Sequence, residues 1–252
     1  MKIRGDKPAV LLLLLVFPFC AVYAQTGPAG PRDLFDQVLR AHVTDGRVDY
    51  PAIKRDPRFS GYLAALRETD ADALATRQEK LAFWINAYNA LAIKGILDGL
   101  SPASLFGRLK YFKLAKYDAG GKHINLYDLE REVIIPFGDP RIHFAIVCAS
   151  RSCPKLRSEA YAAGRLDEQL NDNARGFIND AARNRFDVEN KTAALSRIFD
   201  WFDDDFEQQA GSVQRYLGEY LEDPAAREAA DRENFRIHYL KYDWNLNGIA
   251  PD

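Results

Sequence analysis

The residues best suited to chemistry lie close together near the middle of the chain. Cys153 follows Cys148 by five positions and His143 by ten. A cysteine attacks as the thiolate, which forms near neutral pH beside a cation, an imidazole or a helix N-terminus. Arg151 and Lys155 flank Cys153, and His143 could reach it if the loop folds back. This pattern predicts Cys153 as a nucleophile and His143 as its general base.

A cysteine nucleophile also needs a group that orients the imidazole and donors that stabilise the oxyanion. Glu79 is predicted to hold the imidazole, with Asn86 as a supporting residue on the same helix face. Backbone amides of the Ser150–Cys153 loop, which includes the supporting residue Ser152, are predicted to bind the oxyanion. The set favours hydrolysis or transfer at an amide or thioester-type bond.

Each of these residues also has a structural interpretation, which remains open. Cys148 fits a buried core thiol best, and a disulfide with Cys153 is the alternative if the protein is exported. Glu79 fits a helix cap, and Asn86 fits an amide that ties neighbouring loops to its helix. His143 fits a hydrogen-bonded core histidine.

Sequence patterns also indicate the elements that would position these side chains. Thr76 to Glu79 has the form of a capping box, and residues 81–97 are apolar almost all round, which predicts a buried helix. Residues 141–148 alternate between two faces and predict a buried strand that leads into the cysteine loop. Short segments on both sides of Gly120 and Gly121 predict a β-hairpin.

Helical spacing predicts further helices at 33–43, 51–67, 126–135, 166–182 and 197–218, and a strand is predicted at 193–195. Asp203 to Asp205 lacks calcium-loop spacing and is interpreted as a solvated helix face. Together, these helices and strands predict an α+β fold, a mainly helical single domain with a small antiparallel sheet around the strand at 141–148. A papain-like or transglutaminase-like arrangement is compatible with the predicted thiol set.

Four motifs carry a resemblance to a known family. They are EKLAFWINAYNALAIKGIL at 79–97, DPRIHFAIVCASRSCPKL at 139–156, SRIFDWFDDDF at 196–206 and YDWNLN at 242–247. The chain resembles the exported bacterial family called domain of unknown function 547, over a core of about 77–247. The family pattern often has a histidine after the acidic residue that is Glu130 here. This chain has Arg131 instead, so the resemblance implies no site built on that histidine.

The first residues are typical of a secretory leader. Met1 to Lys7 is basic, Pro8 to Val22 is apolar, and Val22-Tyr23-Ala24 suits a leader peptidase. We therefore expect a signal peptide at 1–24, a flexible leader at 25–31 and one globular domain at 32–252. The expected product is a periplasmic or extracellular protein without a lipid anchor.

Composition excludes several classes of function. The 252 residues include 34 Lys and Arg against 36 Asp and Glu, and the leader removes three cations and one acid. This mild acidity argues against nucleic-acid binding. No later segment is apolar over the length of a membrane span, and no glycine cluster suggests a nucleotide cofactor. His42, His123 and His238 are scattered, so we expect neither a metal nor another cofactor.

The sequence thus leaves more than one functional hypothesis. The first is an exported thiol-dependent hydrolase or transferase that uses Cys153, His143 and Glu79 on a small-molecule or peptide substrate. The alternative is a non-catalytic exported binding or scaffold domain in which Cys148 and Cys153 are disulfide-linked or buried. A third is thiol–disulfide exchange, although the two cysteines lack the spacing of the common redox motif.

Overall fold

The computed structural model describes residues 30–251. The predicted signal peptide at 1–24, with Cys20, lies outside the described residues, as does most of the leader predicted at 25–31. The α-helices are α1 Pro31–His42, α2 Tyr50–Arg55, α3 Pro57–Glu68, α4 Arg77–Leu97, α5 Leu105–Arg108, α6 Leu126–Asp128, α7 Leu166–Ile178, α8 Ile198–Trp201, α9 Asp203–Ala210, α10 Val213–Tyr220 and α11 Pro224–Asp231. Wider π-helical turns continue α5 through Leu109–Leu114 and α6 through Leu129–Ile134.

The strands between residues 30 and 251 are short and form three small sheets among the helices. They are β1 Val43–Thr44, β2 Arg47–Asp49, β3 Lys116–Ala119, β4 Lys122–Asn125, β5 Arg185–Asp187, β6 Thr192–Leu195, β7 Arg236–Tyr239 and β8 Gly248–Ile249. β1–β2, β3–β4 and β5–β6 pair antiparallel, whereas β8 joins β2 and β7 joins β6 in parallel. The α+β fold class and the hairpin at Gly120 are therefore confirmed.

The buried helix α4 lies in the larger of the two hydrophobic cores. Thr76 and Glu79 form the predicted capping box at its start, and most of its side chains are buried. The larger core gathers α1 to α4 and the hairpin, while a smaller aromatic core gathers α7 to α11 around Phe144, Phe199 and Phe206. Because Ile142 packs in the first core and Phe144 in the second, the segment around His143 runs between the two cores.

That segment is not the strand predicted at 141–148. Pro140–Phe144 is a 3-10 helix, and no named strand follows it before Ser150. The Asp139 side chain accepts from the Arg141 N–H at 3.1 Å, and Pro140 suits a first helical turn, so the chain begins as a helix. The side chain of Asn89 then takes the place of a neighbouring strand by bonding the backbone on both sides of Ile146.

The helix predicted over 197–218 is divided into three. α8 ends before Phe202, α9 ends at Ala210, and α10 begins after Ser212. Gly211 has a φ of +86°, which ends α9 in the left-handed region that glycine adopts without strain. Phe202, at the break, and Phe206, one turn into α9, both pack on the His143 ring.

Candidate active site

A cavity of about 190 Å³, which we call the aromatic cavity, lies where the cysteine loop, α8 and the C-terminal segment around residues 242–244 meet. Its lining combines rings, two sulfurs and titratable groups: Tyr88, Phe112, Tyr127, Glu130, Arg131, His143, Ile146, Cys148, Cys153, Pro154, Ile198, Trp201, Phe202, Tyr242 and Trp244. An apolar cavity with a few convergent polar groups is the usual form of a small-molecule site.

Cys148 and Cys153 both line the aromatic cavity and are joined by a disulfide bond, with their Cα atoms 6.3 Å apart. Cys153 is only 3% exposed, whereas Cys148 is half-buried. Of the two structural interpretations of Cys148, the disulfide is therefore the one that the structure shows. Cys148 is therefore the more exposed residue of the disulfide.

The buried Cys153 sulfur is surrounded by hydrogen-bond donors. The Cys148 backbone N–H lies 3.0 Å from it, the Tyr242 hydroxyl 3.2 Å and the Ser150 hydroxyl 3.4 Å. The two hydroxyls also lie within 3.5 Å of the Cys148 sulfur, but the backbone donor points at Cys153 alone. Burial raises the pKa of Tyr242 to about 12, which keeps its proton available for donation.

His143 is buried beside the same cavity and is oriented by an aspartate. Its Nε2 lies 2.7 Å from Asp205 Oδ2, and its ring stacks on Phe202 at a centroid distance of 3.9 Å. Within residues 30–251, Nδ1 has no hydrogen-bond partner. Burial lowers the pKa of His143, while Asp205 acts in the opposite direction. The ring is thus a neutral imidazole near neutral pH, and a proton on Nε2 for Asp205 leaves Nδ1 as a free base.

Glu130 provides a second proton acceptor in the aromatic cavity. Glu130 is half-buried in the cavity wall, and desolvation of its carboxyl raises its pKa to about 7, although the Arg131 charge lowers it. Its nearest hydrogen-bond partner is the hydroxyl of Tyr88, at 3.4 Å. A carboxyl with this pKa exchanges protons readily at neutral pH, which is the property expected of a general acid or base.

Glu79 does not take the role that the sequence predicted for it. Its carboxylate accepts from the Thr76 N–H at 2.9 Å in the capping box and does not line the aromatic cavity. Asp205 orients His143 instead. The interpretation of Asp203 to Asp205 as a solvated face is accordingly wrong for Asp205, whose side chain is 29% exposed and bonded to the imidazole.

Asn86 lies outside the cavity, and its side-chain amide bonds the backbone as a neighbouring strand would. Its Nδ2 donates to the Tyr161 carbonyl and its Oδ1 accepts from the Tyr161 N–H, both at 2.8 Å. Asn89 bonds the Ala145 carbonyl and the Val147 N–H in the same manner. The second asparagine thereby fixes the backbone immediately before Cys148.

The loop amides predicted to bind an oxyanion are already occupied. The N–H groups of Arg151, Ser152 and Cys153 donate to the carbonyls of Asn245, Asp243 and Ser150. The Ser152 hydroxyl accepts from the Asp243 N–H at 2.8 Å. This loop is thus held against the chain terminus, and the predicted oxyanion site is not formed by these three amides.

Glu130, Asp205 and Tyr242 are the functional candidates that residue spacing alone did not select. All three lie far from the cysteines in sequence and join them only in the fold. Tyr242 contacts both sulfurs, Asp205 bonds His143, and Glu130 lines the same cavity. The family motifs at 196–206 and 242–247 did contain Asp205 and Tyr242.

The fold and the cavity define an α+β protein with a disulfide in an aromatic site. The profile of the family described as "Protein of unknown function, DUF547" matches residues 72–178, which confirms the resemblance over that range. This range includes Glu130, His143 and both cysteines. A search of curated proteins found no match, and neither did a search of solved structures. The papain-like comparison accordingly stays a prediction.

No helix within residues 30–251 is long and apolar enough to cross a membrane. Within the same range, no group of three or more His, Cys, Asp or Glu side chains is arranged to hold a metal ion.

Proposed function

We propose that the protein carries out thiol–disulfide exchange at the Cys148–Cys153 bond, on thiol substrates that enter the aromatic cavity. One observation carries this proposal: the disulfide lines the cavity with Cys148 partly exposed, while three donors surround the buried Cys153 sulfur. Attack at Cys148 therefore leaves the departing electron pair on the sulfur that faces the backbone N–H, while the two hydroxyls lie near both sulfurs. Exchange is faster when the leaving sulfur is stabilised as a thiolate.

The exchange step follows from this asymmetry. The thiolate of a substrate attacks Cys148 Sγ and forms a mixed disulfide. The bond between Cys148 and Cys153 breaks, and its electron pair leaves on Cys153 Sγ as a thiolate. The Cys148 N–H and the hydroxyls of Ser150 and Tyr242 then stabilise that charge. A second substrate thiol attacks the substrate sulfur of the mixed disulfide and releases an oxidised dimer of the substrate and the protein dithiol.

Glu130 is the proton acceptor for the incoming thiol. Free thiols have a pKa near 8.5 and are mostly protonated at neutral pH, so a base in the cavity raises the reactive fraction. Glu130, with a pKa of about 7, is half ionised where the exchange would operate. His143 is the weaker base because burial lowers its pKa.

The walls of the aromatic cavity favour a thiol attached to an apolar or aromatic group. Trp201, Tyr242 and Trp244 pack on one another with ring centroids 4.6–5.8 Å apart. An aromatic ligand gains binding free energy by packing on these rings. A strongly hydrated peptide such as glutathione finds few hydrogen-bond partners there. The export predicted from the N-terminal residues would place this reaction in a compartment where disulfides persist.

The test compares reduction of the disulfide in the folded chain from Gln25 onward with reduction in the same chain unfolded by urea. We expect benzyl mercaptan to reduce the folded protein faster than glutathione does, and faster than it reduces the unfolded chain. Glu130→Gln should slow the folded reaction by roughly a hundredfold at neutral pH, the size typical of a lost general base. Glu132→Gln, which removes an exposed carboxylate in the same helical turn, is the matched control.

The opposite result would identify a structural disulfide. If the bond in the folded protein resists both thiols and reacts only after unfolding, exchange is excluded and a binding or scaffold domain is favoured.

A second candidate function is acyl transfer by Cys153 in the dithiol state, as a hydrolase or transferase. The observation that favours it is the His143–Asp205 pair, whose imidazole lines the same cavity and has a buried, unpartnered Nδ1. After mild reduction, iodoacetamide should then label Cys153 in the Cys148→Ser variant, and His143→Gln should slow the labelling. Exclusive labelling of Cys148 in reduced protein would argue against this candidate and agree with exchange.

A further inference from the structure

The segment that follows α5 exposes an unusual number of apolar side chains. Leu105 is 80% exposed, Phe106 64%, Leu109 43% and Leu114 60%. They lie on the continuous helical stretch Leu105–Leu114, whose buried residue Tyr111 anchors it to α4 through a hydrogen bond to the Ala92 carbonyl. We call this stretch the basic apolar helix. Clustered apolar exposure of this kind marks an interaction surface.

The charges on the same stretch all have one sign. Arg108, Lys110, Lys113 and Lys116 lie on or directly after it, and no acidic residue occurs between Asp98 and Asp118. The three lysines are exposed. Among the ion pairs formed within residues 30–251, none involves these four cations. The surface therefore offers exposed apolar groups together with positive charge that the protein itself does not neutralise.

The basic apolar helix adjoins the mouth of the aromatic cavity. The Arg108 guanidinium lies over the Trp244 ring at 4.6 Å, and the Lys113 ammonium lies over the Tyr127 ring at 4.0 Å. Both rings line the cavity. Tyr127 and Trp201 are themselves 39% and 38% exposed, so the apolar surface continues from the helix to the cavity rim.

We propose that the basic apolar helix docks on the surface of an anionic lipid membrane and presents the aromatic cavity to that surface. Exposed Leu and Phe side chains enter the boundary between headgroups and acyl chains, while lysines on the same helix attract anionic headgroups. Tryptophan and tyrosine at the rim suit the same interface because each ring has an apolar body and a polar edge. The helix is too short to cross a bilayer, so the contact is peripheral.

Charge complementarity selects this partner over a second protein surface. An obligate protein interface is depleted of lysine at its centre, whereas here Lys110 and Lys113 lie between the exposed leucines. Their charges would have to be buried in a tight protein interface. At a lipid surface they stay in the hydrated headgroup layer.

The experiment is vesicle co-sedimentation of the chain from Gln25 onward, which retains every described residue and omits the apolar leader. Vesicles of phosphatidylcholine alone are compared with vesicles that also contain phosphatidylglycerol. We expect the phosphatidylglycerol vesicles to bind the protein at least about tenfold more strongly, and this preference to fall as salt rises. Lys110→Glu with Lys113→Glu should abolish the preference, and Leu105→Ser with Phe106→Ser should reduce binding to both vesicles.

Two exposed residues elsewhere provide matched controls. Ile249→Ser removes an apolar side chain that is 54% exposed on β8, and Lys54→Glu reverses an exposed cation on α2. Both should bind vesicles as the unaltered chain does. Equal binding to both vesicle types, or no binding, would overturn the proposal. So would light scattering that shows a dimer which Leu105→Ser with Phe106→Ser converts to a monomer, since a second copy would then be the partner.

Discussion

The amides on α4 and the titratable groups of the aromatic cavity differ in how their hydrogen bonds are satisfied. On α4, the amides of Asn86 and Asn89 each bond a backbone carbonyl and a backbone N–H at 2.8–3.0 Å. In the aromatic cavity, His143 keeps an unpartnered Nδ1 and Glu130 has a pKa of about 7. The two asparagine amides are thus paired with the backbone, whereas the two cavity groups remain free to exchange a proton.

This difference separates stabilising polar groups from reactive ones. A buried polar group that is fully paired contributes to a unique packing, because every alternative leaves it unsatisfied. A buried group with a free position or a shifted pKa costs stability, and such groups are common at functional sites. Changes on α4 should therefore affect stability at every pH. Changes in the cavity should affect pH dependence and reactivity.

Asn86→Ala is expected to have the largest effect on stability. It leaves both the N–H and the carbonyl of Tyr161 buried without a partner, and each costs about 1–3 kcal/mol. The free energy of unfolding should fall by about 4 kcal/mol, as measured by urea denaturation. The loss should be the same at pH 5 and pH 8, because no titrating group is removed. A loss that varies with pH would contradict the purely structural role.

Glu130→Gln should change stability in a manner that depends on pH. The folded pKa of about 7 lies above the ordinary value of 4.5, so the folded chain holds a proton that the unfolded chain has released. The free energy of unfolding of the unaltered chain therefore falls as pH rises from 4.5 to 7. Relative to the variant, the loss should reach at most about 3 kcal/mol above pH 7 and vanish below pH 4.5.

The contribution of His143 has the opposite sign but cancels in this comparison, since both chains contain it. Urea denaturation at several pH values measures the difference between the two chains. A difference that is constant from pH 4.5 to 8 would show that the carboxyl is not perturbed by burial.

Asp205→Ala should destabilise the fold by about 2 kcal/mol, since it leaves the buried His143 Nε2 without its partner. The variant imidazole should also lose the preference for the tautomer protonated at Nε2, which the bond to Asp205 imposes. Nitrogen NMR of the imidazole measures this directly: a proton on Nε2 in the unaltered chain and a mixture in the variant. Asp204→Ala, which removes the exposed neighbour on α9, is the control and should leave the tautomer unchanged.

Glu79→Ala is expected to have the smallest effect. It removes one half of a capping box, so the free energy of unfolding should fall by about 1 kcal/mol. Its rate of disulfide reduction by benzyl mercaptan in the folded state should equal that of the unaltered chain. A large loss of rate would instead return Glu79 to the active site.

Local patterns predicted the elements that depend on local interactions. The capping box at Thr76, the apolar run of α4 and the glycines of the hairpin each determine their own structure within a few residues. The 3-10 helix at Pro140–Phe144 was missed because its apolar alternation suits a strand equally well. Asp139 and Pro140 start the 3-10 helix locally, and after it Asn89, more than fifty residues earlier in the chain, supplies the hydrogen bonds of a strand neighbour.

Only the part of the site that lies in one segment was predicted from the sequence. That segment contains His143 and the two cysteines, and their spacing alone indicated a site. Asp205 and Tyr242 reach them through tertiary packing of α9 and of the chain terminus. Glu79 was selected because it shares a helix face with Asn86, but capping uses a carboxylate in the first turn for local backbone donors.

The most direct test of the exchange reaction is to map which sulfur a substrate thiol attacks. The folded chain is mixed briefly with benzyl mercaptan, the reaction is stopped by acid, and the mixed disulfide is located by peptide mass mapping. The account predicts the adduct on Cys148 and a free thiol at Cys153. An adduct found mainly on Cys153 would contradict the account, because the Cys148 N–H would then have no leaving thiolate to stabilise.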